Sequence, residues 1–174
     1  YQVTSTVKAN ATKNANGKIT RKCSVCGKTT TSTLYAPKTV TLSATSYTYD
    51  GKVKKPSVTV KDSKGNKIGS RYYTVSYPSG RKNVGKYTVK VTFKGNYIGS
   101  KSATFAIKPK GTGVSKVTAA KKGFKVTWKK QATQTTGYEV QYSTASNFKK
   151  GNKTVTVSKN KTTSKSVSKL SAKK

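Results

Sequence analysis

The sequence has no histidine, no methionine and only three acidic residues, Asp50, Asp62 and Glu139, in 174 positions. Without histidine the chain lacks the commonest general base and the commonest neutral metal ligand. Three carboxylates scattered singly do not supply the paired acid and base of glycoside hydrolysis, nor a carboxylate cage for a hard cation. Ser-x-x-Lys occurs about as often as the Ser and Lys content would give by chance, so it does not mark a nucleophile. The expectation is a protein that is not an enzyme and holds no cofactor. Long apolar runs are also missing, and nothing approaches the roughly 18 apolar residues of a membrane-crossing helix. No leader of the secretory type precedes Tyr1, so the sequence reads as a mature or excised segment. No stretch shows the periodicity of an amphipathic helix.

What is abundant is positive charge. Lys and Arg total 37 and the formal net charge is +34. Only Arg21, Arg71 and Arg81 are arginine, which leaves 37 − 3 = 34 lysines. Reading of base edges leans on the planar fork of Arg, which Lys cannot imitate, so sequence-specific nucleic-acid binding is not expected. A lysine coat instead makes a diffuse positive field suited to acidic glycans or wall polymers. Its densest points are the doublets Lys54–Lys55, Lys121–Lys122, Lys129–Lys130 and Lys149–Lys150, which are the candidate polyanion contacts. Neighbours on a strand point to opposite faces, so a doublet makes a patch only if the fold brings other cations to it.

The remaining composition is rich in Thr, Ser, Val and Tyr, residues that favour pleated, half-buried surfaces. Alternation is clearest in "KYTVKVTF", which sets Tyr87, Val89, Val91 and Phe93 on one face. "YTVSY" does the same for Tyr73, Val75 and Tyr77, and "GYEVQY" for Tyr138, Val140 and Tyr142. The phase these aromatics share with Val is the core phase. Tyr87, Phe93, Trp128, Tyr138, Val140 and Tyr142 are therefore assigned to cores, whereas Tyr97 in "KGNYIGS", on a loop, is the aromatic least explained by packing. Turn residues divide the chain into three segments: a hairpin segment over 1–36 with an Asn16-Gly17 turn signal, a sandwich over 37–109, and a five-stranded module over 110–174. The fold class is all-β, with tandem β-sandwich modules behind an N-terminal hairpin.

In the third segment, "VSKVTAAKKGFKVTWKK" followed by "TGYEVQYSTASNF" resembles a fibronectin type III domain, with Trp128 at the position of that fold's core tryptophan. In that family a fifth-strand Leu leads through a short turn into a strand opening with Tyr. Leu170 and "SAKK" reach the turn and Lys174 ends the chain, so the resemblance implies an incomplete domain without its sixth and seventh strands. The uncovered third strand could then take up a strand from another chain. The middle segment, through "YTYDGKVKKPSVTV", "YTVSYPSGRKNVGKYTVKVTFKGNYIGS" and "TFAIKPK", resembles the bacterial immunoglobulin-like repeats of surface proteins from gut Firmicutes. The resemblances imply a fragment of a secreted or wall-associated protein with a binding or spacer role. An alternative is a soluble, proteolytically released polypeptide acting on a host cell-surface receptor in a hormone-like or immunomodulatory way.

Cys23 and Cys26 form the motif "CSVCG". Structural zinc takes four ligands, and one chain offers two, so a zinc site within one chain is not expected. Outside the cell the pair could close a small disulfide loop or remain two thiols. A thioredoxin-type role needs a helix after the first Cys, and "GKTTTSTL" is a poor helix former.

Overall fold

In the computed structural model, which describes residues 3–171, the chain is all-β. The described residues form sixteen strands, with one 3-10 turn at Ser70–Tyr72. They gather into two compact units. The first runs to Tyr47 and resumes over Gly51–Lys108; the second holds Thr48–Asp50 and the chain from Pro109 onward. The expected hairpin segment and the expected sandwich thus share the first unit. The turn expected over "SAKK" falls, beyond Ser171, outside the described residues.

The first unit opens with β1 (Val3–Ala9), β2 (Ala11–Thr12), β3 (Gly17–Cys23) and β4 (Thr29–Leu34). β1, β3 and β4 make an antiparallel sheet in that order, with Thr6 opposite Thr20 and Thr20 opposite Thr31. The hairpin forms, but Gly17 is not its turn. Gly17 is buried in β3 opposite Leu34, and the chain reverses over 13–16. There the Thr12 hydroxyl accepts from the Asn14 and Ala15 amides at 3.3 and 3.0 Å, an alternative turn closure of the Ser/Thr kind. Asn16 is used elsewhere: its Oδ1 accepts the Ala36 amide at 2.8 Å and ties the hairpin to the start of the sandwich.

The sandwich sets β5 (Pro37–Leu42) against β7 (Val58–Asp62) in one sheet. The other sheet, in the order β6–β11–β9–β8, contains β6 (Ser46–Thr48), β8 (Tyr73–Ser76), β9 (Gly85–Phe93) and β11 (Ser100–Lys108). The alternation of β9 becomes burial: Val89, Val91 and Phe93 are inside and the intervening Thr and Lys are outside. Val91 pairs Val75 and Phe93 pairs Tyr73 across β8, while Tyr87 pairs Phe105 across β11. Tyr87 stacks on Phe105 with ring centroids 5.5 Å apart, and its half-buried position at the sheet's end leaves the hydroxyl free to reach backbone. Fully burying each Val or Phe here contributes about 1.5–3 kcal/mol.

Tyr97 corrects its assignment to an unpacked loop. It lies on β10 (Tyr97–Ile98), which pairs in parallel with β2, so that Tyr97 is opposite Ala11. Both residues are buried, with Val60, Ile68, Tyr73, Val91 and Phe93, in one apolar cluster. Tyr72 meets Tyr97 edge-on at 5.4 Å. The hairpin segment is therefore held by core packing, because a short sheet of Thr and Lys buries too little to stand alone. Beside this core sits Asp62, the buried acid of the unit. Its Oδ1 accepts the Lys64 and Asn66 amides, each at 2.9 Å, and closes the "DSKGN" turn.

The second unit contains β12 (Val114–Ala120), β13 (Gly123–Trp128), β14 (Tyr138–Tyr142), β15 (Lys153–Val157) and β16 (Ser164–Val167). They form two antiparallel sheets, β12–β13–β16 and β14–β15. Val126, Trp128 and Val157 are buried between them, with Phe124, Tyr138 and Val140 packed around. Among the described residues no strand pairs the second edge of β14. Gly137 precedes that strand because a Cβ there would collide with the Val157 carbonyl oxygen.

Two substitutions test this account. Asp62→Ala leaves two turn amides without their acceptor and should cost about 1–3 kcal/mol of first-unit stability in urea unfolding. Gly137→Ala forces β14 from β15 and should cost about 1–3 kcal/mol of second-unit stability, read by Trp128 fluorescence.

Candidate functional site

The four lysine doublets stand at separate connections. Lys54–Lys55 lies between β6 and β7, Lys121–Lys122 between β12 and β13, Lys129–Lys130 just after β13, and Lys149–Lys150 between β14 and β15. The first is brought against a third cation. The Lys54 amide donates to the Arg81 carbonyl at 3.1 Å, which joins the loop before β7 to the loop before β9. Tyr77 joins them again: its hydroxyl donates to the Pro56 carbonyl at 2.6 Å. Tyr87 Oη lies 2.8 Å from both the Gly80 and Asn83 carbonyl oxygens, so the loop bearing Arg81 is pinned from below.

Aromatic rings form the floor of this face. Lys55 Nζ stands 5.7 Å from the Tyr77 ring centroid, and the Arg81 guanidinium stands 5.4 Å from the same ring. Lys54 Nζ stands 5.5 Å from the ring of Tyr47. Such contacts draw cations onto ring faces. Arg81 donates through Nη1 to the Pro78 carbonyl at 2.8 Å, which aims the fork. Its Nε is buried and meets no hydrogen-bond acceptor among the described residues.

Tyr77 holds its proton more tightly than an ordinary phenol. Burial pushes its pKa up, Arg81 pulls it down, and Tyr47 adds a further upward push. It therefore remains a neutral donor to Pro56 and a neutral ring under the two cations. Neither Arg81 nor Tyr47 nor Tyr77 was singled out as a site residue from the sequence. Arg81 is far from the doublet in the chain, and Tyr77 is in phase with Tyr73 and Val75, which reads as core. Only the closeness of "YTYDGK" to "VKKP" hinted at rings beside cations.

The other sequence-predicted residues lie as follows. Phe93 and Trp128 are buried; Tyr87, Tyr138, Val140 and Tyr142 are half-buried. The Trp128 ring lies 5.2 Å from that of Tyr138, and Phe124 meets Tyr142 edge-on at 5.5 Å. Tyr138 Oη donates to the Asn160 carbonyl and accepts the Gln131 amide, each at 3.0 Å. Cys23 and Cys26 are two thiols at the tip of the β3–β4 hairpin. The Cys23 thiol is held below its ordinary pKa, first by the Cys26 amide, then by the Cys26 side chain and the Val25 amide.

Residues 38–111 match the MBG domain family, an immunoglobulin-like type of domain that occurs in bacterial surface proteins. The match covers the sandwich of the first unit and the residues of the cationic face. Neither the curated proteins nor the solved structures returned a match. No helix among the described residues is long and apolar enough to cross a membrane.

The buried phenols predict a pH response. Tyr97 is also raised, by burial first and then by the Asp62 and Tyr72 charges. Folding thus tightens both protons, so their contribution is complete below the ordinary phenol value of 10.0 and fades as pH rises through the folded value. Between about pH 9 and about pH 11, Tyr97→Phe should lose less unfolding free energy than the parent chain in denaturant titrations.

Proposed function

We propose that this chain is a non-enzymatic binding and spacer segment of a secreted or surface-exposed bacterial protein, and that the first unit attaches to acidic polymers. The observation that carries the reading is the convergence of Lys54, Lys55 and Arg81 over Tyr47 and Tyr77. Cations held over flat rings suit a chain of acidic sugars, whose carboxylates take the charge. The match to a surface-protein domain over residues 38–111 supports the setting. The remaining lysines extend the field around this face and steer polymer towards it.

The second unit is the spacer. Its first, second and fifth strands share one sheet, as the first, second and fifth strands of immunoglobulin-like sandwiches do. With Trp128 buried on the second strand, this order supports the fibronectin type III resemblance.

The test is retention on an immobilised acidic polysaccharide as salt is raised. Lys54→Ala/Lys55→Ala should elute at lower salt, and the slope of log affinity against log salt should fall by about one per cation removed. Lys149→Ala/Lys150→Ala should change elution less. Equal effects from the two double variants would replace the face with a diffuse coat. Saturable binding to host cells that survives about 0.5 M salt, where charges are screened within a few ångströms, would replace attachment with the receptor-directed alternative.

A further inference from the structure

The thiol pair stands apart from the cationic face and has a geometry of its own. Cys23 ends β3, and its amide donates to the Lys28 carbonyl at 2.9 Å. The Gly27 amide returns to the Cys23 carbonyl at 3.0 Å, with Gly27 in the left-handed region at φ 68°. That reversal lays the loop over the Cys23 sulfur. The Cys26 amide points at Cys23 Sγ from 3.5 Å. The two cysteines therefore bracket one tight loop, with the Cys26 N–H already turned towards the Cys23 sulfur. Cysteine binds metal as thiolate, so each ligand gives up its proton to the ion.

The same loop opens to solvent. Cys26 is exposed, Val25 is 76% exposed, and nothing lies within 4 Å of a Cβ built on Gly27. Among the described residues no third His, Cys, Asp or Glu gathers with the pair. The pair is thus half of a tetrahedral tetrathiolate set, and it faces outward.

We propose that Cys23 and Cys26 chelate a thiophilic divalent metal of the zinc class, and that the same two residues of a second copy of this chain complete the site. A twofold axis through the metal makes the two loops equivalent, the usual closure of an isologous contact. Four thiols lose four protons to one divalent ion, which leaves a centre of net charge 2− and changes no oxidation state. Arg21, Lys22 and Lys28, all exposed beside the loop, place positive charge next to that centre. Farther out, two chains of +34 each repel one another. Salt screens the distant repulsion over about 10 Å at 0.1 M and acts less on the bonded metal, so raising ionic strength should strengthen the assembly.

The test titrates the reduced full chain with cobalt(II) and zinc, followed by absorbance and light scattering. The expected result is sulfur-to-cobalt charge transfer with tetrahedral visible bands, saturation at one metal per two chains, and doubling of the mass. Moderate salt should sharpen that transition. Cys26→Ser should abolish both signals while leaving the far-ultraviolet circular dichroism unchanged, because the loop tip carries no core. Absence of charge transfer from fully reduced protein overturns the site. One metal per monomeric chain overturns the second copy, and zinc-driven dimers of Cys26→Ser overturn the ligand assignment.

Discussion

β9 is the strand on which the first unit depends. It alternates over its whole length and is paired on both edges, with β8 and β11. Its inward residues Val89, Val91 and Phe93 are buried, and Val91 and Phe93 share a cluster with Val60 from the opposite sheet and Tyr97 from the added strand. Each neighbouring element is placed by what it lays on that row. β7 brings Val60, β8 brings Tyr73, and β2 brings the fully buried Ala11, which is small enough to fit where the hairpin segment meets the sandwich. Shift β9 by one residue and its lysines and threonines would face inward, so its register admits no slip.

A chain with three acids and 37 bases must manage its charge without many ion pairs. Tyrosine rings take up part of that task. Besides the Lys54, Lys55 and Arg81 contacts, Lys64 stands over Tyr35 at 5.6 Å and Arg71 over Tyr72 at 5.0 Å. These cations stand against ring faces. This links the composition to the proposed anion-binding reading, in which the ring-held cations meet an acidic polymer. The one buried acid, Asp62, is spent on backbone amides of a turn, as its place in "KDSKG" suggests.

The two units solve burial differently. The first surrounds a full cluster with strands from both its sheets and from the hairpin segment. The second has a small cluster, Val126, Trp128 and Val157, and leaves Tyr138, Val140 and Tyr142 half-covered on a strand paired along one edge. Gly123 and Gly137 let strands approach so closely that a methyl group would meet a carbonyl oxygen. The mean hydropathy of the chain, −0.70, leaves little apolar material beyond these sites.

Period-two alternation, turn residues and the Val-Tyr-Thr composition were enough to set the all-β class, the strands and the phase that buries Phe93 and Trp128. Those features act over a few residues, and the pleat alone converts them into faces. The sequence likewise displayed the lysine doublets and the Cys-x-x-Cys motif as candidates. It did not reveal the partners of those residues. Tyr97 looked like loop because its strand pairs with β2, some 85 positions upstream in a parallel contact that no local pattern announces. Asn16-Gly17 looked like a turn because the acceptor role of Asn16 towards Ala36 is a tertiary bond. Arg81 became part of the cationic face only when its loop folded onto Lys54 and Pro56. Alternation is a property of neighbours along the chain, whereas a site is made of residues that only folding brings together.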